Sequence, residues 1–100
     1  MLFRVNFQLE SLSKRNEAIT RFAEMADNPD YALPKGLTLI GRWHCSAALN
    51  GTEIWETDDI RILYNWLLLW NDLIVYEIDP VVNDEDAGAM SLELIRRIQA

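Results

Sequence analysis

The spacing of apolar residues along this chain alternates between the period of a strand and the period of a helix, and the order of these changes constrains the fold. From Leu2 to Leu9 apolar and polar residues alternate, as in a half-buried strand. From Lys14 to Met25 apolar residues recur every three or four positions, as in an amphipathic helix, and Ser11 or Ser13 can serve as its N-cap. The chain therefore begins with a strand followed by a helix.

The remainder of the chain continues the series with two strands, a helix and a strand. Asn50-Gly51 is typical of a two-residue hairpin turn, because both residues tolerate positive φ. The predicted elements are strands over Leu37 to Ala47 and Thr52 to Thr57, a helix over Ile60 to Trp70 capped by Thr57, Asp58 or Asp59, a strand over Leu73 to Val81, and a short helix over Ser91 to Ile98.

The order β-α-β-β-α-β predicts an α+β fold of the ferredoxin-like type, with one antiparallel sheet and two helices on one face. We expect residues 1–86 to form this domain. Residues 87–100 are expected to form a C-terminal helical appendage that packs on the domain or on a partner subunit.

Composition narrows the class of partner and the compartment. The formal net charge of −7 disfavours nucleic acid and anionic membrane surfaces as partners. The first strand would also place Phe3 and Phe7 under the helices, whereas an RNA-recognition module displays such aromatic residues on its open sheet face. A single cysteine favours a reducing compartment, so we expect a cytoplasmic protein. The longest apolar stretch is too short to span a bilayer.

The helices can cover only one face of the sheet, and alternation predicts which residues lie on the other, bare face. These are Arg4, Asn6 and Gln8 from the first strand, Arg42, His44 and Ser46 from the second, Thr52, Ile54 and Glu56 from the third, and Leu73, Val75, Glu77 and Asp79 from the fourth. Trp43 and Cys45 are predicted on the covered face. The facing of the third and fourth strands stays open, because both of their faces carry apolar groups.

The only histidine is the best candidate for chemistry. Imidazole exchanges protons near neutral pH, so His44 could act in proton transfer, with Arg42 holding an anionic oxygen and Glu56 orienting the ring. Cys45 is the only cysteine, and as a neighbour on a strand it would point away from His44. The sequence therefore predicts neither a metal site nor a Cys–His nucleophile, and no cofactor.

Further residues of the predicted bare face would complete a ligand site, namely Arg4, Asn6, Gln8 and Glu77. The alternative is that Arg42, His44 and Glu56 form a structural network that bridges strands or subunits.

Several stretches of the chain resemble the DUF3303 family of uncharacterised small proteins. They are Gly41-Arg42-Trp43-His44, Trp55 to Asp59, Trp66 to Leu73, and Ile78-Asp79-Pro80-Val81. Such proteins are similar to the dimeric α+β barrel group, in which two ferredoxin-like sheets pack face to face. The resemblance implies a homodimer.

The wider group contains cofactor-independent oxygenases, isomerases, dehydratases and stress proteins, so the fold does not supply the reaction. One expectation is a protein that binds a small organic ligand, including a cofactor-independent acid–base or oxygenase-like enzyme with a cavity around His44. The other is a non-catalytic homodimeric interaction or stress-related protein.

Overall fold

The computed structural model describes residues 1–100 as a four-stranded antiparallel sheet with two helices packed on one face and a third helix at the C-terminus. The strands are β1 (Leu2–Leu9), β2 (Thr38–Cys45), β3 (Asn50–Glu56) and β4 (Ile74–Val81), and the helices are α1 (Leu12–Ala26), α2 (Ile60–Leu67) and α3 (Asp84–Gln99). The strands lie in the order β2-β3-β1-β4. The element order and this sheet order confirm the predicted ferredoxin-like layout.

The hydrophobic core lies between the sheet and α2. Val5 of β1, Trp55 of β3 and Leu63 of α2 are at most 1% exposed. Burying a side chain of this size stabilises the fold by roughly 1.5–3 kcal/mol. A second, smaller cluster joins Ala18 of α1 to Trp70 and Leu73, which lie in the connection between α2 and β4.

A β-bulge in β2 reverses the facing of its second half. Leu39 pairs with Trp55, but the next pair joins Gly41 to Ile54, so Ile40 is an extra residue without a partner on β3. An extra residue shifts the alternation of every later side chain by one. Gly41 suits this position because a Cβ there would lie 2.5 Å from Cη2 of Trp43, whose ring lies against the glycine.

The predicted facing of the second strand is therefore wrong beyond the bulge. Arg42 lies opposite Glu53, and Glu53 lies opposite the buried Val5, so Arg42 and His44 are on the face covered by the helices. Ser46 also lies on the helix side, where it lines the cavity described below.

Trp43 and Cys45 were predicted on the covered face but lie on the bare face of the sheet. Trp43, predicted in the core, is 59% exposed, and Cys45 is exposed as well. The residues within the other three strands face as alternation predicts, since Arg4 lies opposite Ile54 and Asp79, and Asn6 lies opposite Thr52 and Glu77. The prediction for Leu73 is wrong, because β4 begins at Ile74 and Leu73 is only 4% exposed in the cluster with Ala18 and Trp70.

The turn between β2 and β3 also differs from the prediction. It is a 3₁₀ turn over Ser46–Ala48 that ends at Leu49 with a φ of 59°, while Asn50 and Gly51 are the first residues of β3. Gln8 supports this turn, because its side-chain amide donates hydrogen bonds to the carbonyl oxygens of Ala48 at 3.4 Å and Leu49 at 3.2 Å.

The helix ends follow from local hydrogen bonds. The Ser11 hydroxyl accepts from the backbone N–H of Lys14 and caps α1, and the Asp59 carboxylate accepts from the N–H of Arg61 and caps α2. Helix α2 ends at Leu67 rather than at Trp70, because the chain turns there and folds Trp70 and Leu73 against α1.

Helix α3 begins at Asp84, seven residues earlier than predicted, and no residue of it is buried. The molecule measures 57 × 31 × 17 Å, with a radius of gyration of 17.0 Å. A compact chain of this length has a radius of roughly 13 Å. The helix therefore extends away from the domain. None of the three helices combines the length and the apolar composition needed to cross a lipid bilayer.

Candidate functional site

A cavity of about 480 Å³ lies between the sheet and helix α1. Most of its wall is apolar: Phe7 and Leu9 of β1, Ala18, Ile19 and Phe22 of α1, Trp66 and Leu67 of α2, Ile74 of β4, and Leu49 and Trp70 from the connections. Ile19 and Phe22 are 60% and 57% exposed, so the mouth of the cavity is apolar and reaches the solvent.

A buried ion pair forms one polar part of the wall. The Nε of Arg42 donates to Oε2 of Glu53 at 2.5 Å, and the indole Nε1 of Trp55 donates to Oε1 of the same carboxylate at 3.2 Å. Glu53 is only 5% exposed, so its charge needs these partners. Neither terminal nitrogen of the Arg42 guanidinium makes a hydrogen bond within the protein, which leaves both free to donate to a ligand.

His44 stands beside Phe7 in the same wall. The two rings make an edge-to-face contact with their centroids 5.5 Å apart. They belong to β2 and β1, with Gly51 of the intervening strand β3 opposite both of them. Because Gly51 has no side chain, the two rings meet above it. The imidazole nitrogens make no hydrogen bond within the protein, and the residue is exposed. His44 therefore has both the open volume and the unpaired nitrogens that a proton-transfer group needs.

Tyr76 of β4 brings a phenol to the cavity from the side of Phe7 away from His44. Burial raises the pKa of this phenol, and the negative charge of Glu53 raises it further. The hydroxyl therefore stays protonated over the physiological pH range and can donate a hydrogen bond to an anionic oxygen.

Helix α1 is tied to the connection between α2 and β4 by a bidentate ion pair. The two terminal nitrogens of Arg21 donate to the two carboxylate oxygens of Asp72, both at 2.7 Å, and Nη1 also donates to the carbonyl oxygen of Leu69 at 2.7 Å. The hydrogen bonds from Arg21 hold the pKa of the Asp72 carboxyl below its usual range. Arg21 also lies over the ring of Trp70, 5.8 Å from its centroid, so the pair joins α1 to one of the residues that line the cavity.

The structure separates the predicted site residues into two groups. Arg42 and His44 line the cavity together. Glu56 lies opposite Leu2 and Thr38 on the bare face, so the predicted contact with the His44 ring is not formed. The remaining predicted residues also belong to the bare face: Arg4, which pairs with Asp79 at 3.1 Å, Asn6, Gln8 and Glu77.

Glu53 and Tyr76 are two site residues that the sequence analysis did not single out. Both could be found from alternation, because Glu53 shares a face with Trp55, and Tyr76 with Ile78. A carboxylate on the covered face of a strand needs a cationic partner, and Arg42 is the one that the bulge supplies.

No three side chains of histidine, cysteine, aspartate or glutamate lie close enough together to hold a metal ion. The donors that the cavity offers are an imidazole, guanidinium N–H groups and a phenol. Such donors bind and protonate organic oxygen atoms.

Comparison with known proteins finds one family. The family model described as "Domain of unknown function (DUF3303)" matches residues 1–95. No curated protein matches the chain.

Proposed function

We propose that this chain, which belongs to the DUF3303 family, binds a small, mostly apolar organic molecule between its sheet and α1, and that His44 exchanges a proton with it. The observation that supports this proposal is the position of His44. Its nitrogens are unpaired, it is exposed to solvent, and it borders an apolar cavity of about 480 Å³. Cavities of roughly 300–1,000 Å³ with apolar walls and few polar groups are typical ligand sites.

The polar groups of the cavity suit proton exchange next to a carbonyl. In this reaction the His44 imidazole takes a proton from the carbon beside the carbonyl, and the C–H electron pair moves to form an enolate. Arg42, which lies two residues from His44 on the same strand and face, can donate hydrogen bonds to the enolate oxygen. The imidazolium then returns a proton to the same carbon. No other reactant is consumed.

Thermal shifts with small ketones test the binding part of the proposal, and replacing His44 by alanine tests the proton transfer. We expect bicyclic aryl ketones such as 1-indanone to raise the melting temperature of the wild-type protein. In D₂O the protein should speed the exchange of their α-hydrogens, followed by proton NMR. The variant should exchange at least about a hundredfold more slowly, because a positioned general base contributes roughly 10²–10⁴-fold.

Cys45→Ser is the matched control, because residue 45 neighbours His44 but lies on the bare face. It should behave as wild type. Equal exchange by wild type and His44→Ala would contradict proton transfer, and the absence of any thermal shift across the ketones would contradict binding.

A homodimeric interaction role is the second candidate, and the exposed apolar row of α3 favours it. The row consists of Ala87, Met90, Leu94, Ile95 and Ile98, of which the four large side chains are 50–71% exposed. A helix with one apolar face is stabilised by a partner that covers that face. The partner that we propose is α3 of a second copy.

The charges at the two ends of α3 suit an antiparallel pair of these helices. The first turn holds Asp84, Glu85 and Asp86, and the last turn holds Arg96 and Arg97. Two antiparallel copies would place the acidic end of each helix beside the basic end of the other, along about 24 Å of helix.

We expect sedimentation to show a dimer whose dissociation constant rises about a hundredfold in Leu94→Glu, because a charge would replace a central apolar contact. Leu92→Glu is the control, since Leu92 is also exposed, at 67% against 50% for Leu94, but lies outside the apolar row. A monomeric wild-type protein would contradict this candidate. A dimer that survives Leu94→Glu but dissociates on Trp43→Glu would assign the interface to the bare face of the sheet instead.

A further inference from the structure

We infer that the ligand of the cavity is an organic anion, namely an apolar ring system with one carboxylate that Arg15 binds. This inference rests on the proposed binding function and specifies its ligand class. It starts from the charged side chains that line the cavity, which are Arg15, Arg42 and Glu53.

Arg15 is unusual among the basic residues of this acidic chain. The chain has 16 acidic and nine basic residues, so acidic partners are in excess. Six basic side chains have a carboxylate within 4.0 Å, which leaves Arg15, Lys35 and Arg97 without one. Of these three, only Arg15 lines the cavity.

The immediate surroundings of Arg15 leave its charge unbalanced. Its Nε and Nη2 donate to Oδ1 of Asn16 at 3.3 and 3.2 Å, and an amide oxygen carries no net charge. The first turn of α1 contains no acidic residue. The N-terminal end of the helix dipole adds to the positive potential there.

The one carboxylate in the cavity wall does not offset this charge. Both oxygens of Glu53 accept hydrogen bonds from within the protein, and its charge is paired with Arg42. The wall therefore carries one positive charge in excess, in a molecule whose net charge is −7. A cation beside an apolar wall is partly desolvated, which strengthens its attraction for a carboxylate.

The size and chemistry of the wall define the rest of the ligand. Aromatic side chains of Phe7, Trp66, Trp70 and Tyr76 surround the volume, so a flat bicyclic ring fits the apolar part. A ligand with an apolar body and a single anionic group would match both the wall and its excess charge.

The test compares 2-naphthoate with 2-naphthamide, which share a ring system and differ in charge. Isothermal titration calorimetry on the full chain should show 2-naphthoate binding about tenfold more tightly, as expected for one partly desolvated ion pair. Arg15→Gln should abolish the difference by weakening 2-naphthoate alone, while Arg15→Lys should keep it.

Arg97→Gln is the matched control, since Arg97 also lacks an acidic partner but lies on α3, away from the cavity. It should leave both affinities unchanged. Equal affinity for the two compounds in the wild-type protein, or a preference that survives Arg15→Gln, would overturn the anion assignment and leave the binding function standing. Failure of both compounds to bind would overturn the binding function as well.

Discussion

Replacing Gly51 by alanine is expected to lower the free energy of unfolding by about 3 kcal/mol and to displace the His44 ring. A Cβ at this position would lie 2.3 Å from Cζ of Phe7 and 2.3 Å from the carbonyl oxygen of Trp43. Both distances are far shorter than a van der Waals contact. One of the two neighbours is backbone, so the sheet itself would have to move. Urea unfolding followed by circular dichroism measures the loss.

Gly88→Ala is the control for this substitution. A Cβ at Gly88 would meet nothing within 4 Å, and the residue lies in helix α3, where alanine is the better helix former. This variant should unfold at the same denaturant concentration as wild type or at a higher one. If Gly51→Ala were as stable as Gly88→Ala, the close approach of Phe7 to β3 would be wrong.

Replacing Glu53 by alanine is the second substitution with a large expected effect, a loss of roughly 2–3 kcal/mol in the free energy of unfolding. The change removes the acceptor of two donors, the Arg42 guanidinium and the Trp55 indole. Trp55 is 1% exposed and its indole N–H has no other acceptor within the protein, so the change leaves a buried donor without its partner. Arg42 is 27% exposed in its side chain, which keeps the loss below that of a fully enclosed pair.

Glu56→Ala is the matched control, because Glu56 lies three positions along the same strand and is exposed on the bare face. It should change the free energy of unfolding by less than about 0.5 kcal/mol. Glu53→Gln should fall between the two, since an amide oxygen still accepts hydrogen bonds but carries no charge. Equal losses for Glu53→Ala and Glu56→Ala would contradict the buried network.

Most of the fold could be predicted from the sequence because apolar spacing reports which face of an element is covered. Phe3, Val5 and Phe7 alternate without interruption, and β1 faces as expected. Helix α2 was predicted too long because Trp70 continues its apolar row. In the structure the chain turns after Leu67, and Trp70 packs against α1 from the connection that follows the helix.

The second strand could not be oriented from its pattern alone. Residues Leu37 to Ala47 can be read as one regular alternation, and a bulge changes mainly the pairing with the neighbouring strand. Two signals mark the bulge. Leu39 and Ile40 are adjacent apolar residues, and Gly41 follows them. A glycine inside a strand often marks a bulge. The Asn50-Gly51 turn prediction was wrong for a related reason, because Gly51 provides close approach to Phe7 rather than a positive φ.

The candidate site was consequently predicted only in part. Arg42 and His44 were correctly grouped on one face, because the strand is regular between them. The predicted face and the predicted acidic partner were wrong. The bulge exchanges Glu56 for Glu53 as the nearby carboxylate. It also moves the pair from the bare face to an apolar cavity.

The position of the His44 ring on the helix side of the sheet is the claim on which the proposed function depends, and nuclear Overhauser effects from the imidazole protons test it most directly. The edge-to-face contact at 5.5 Å between ring centroids predicts strong effects between His44 and the ring protons of Phe7. Effects from the imidazole to the side chains of Asn6 and Glu77, with none to Phe7, would place the ring on the bare face and contradict the account.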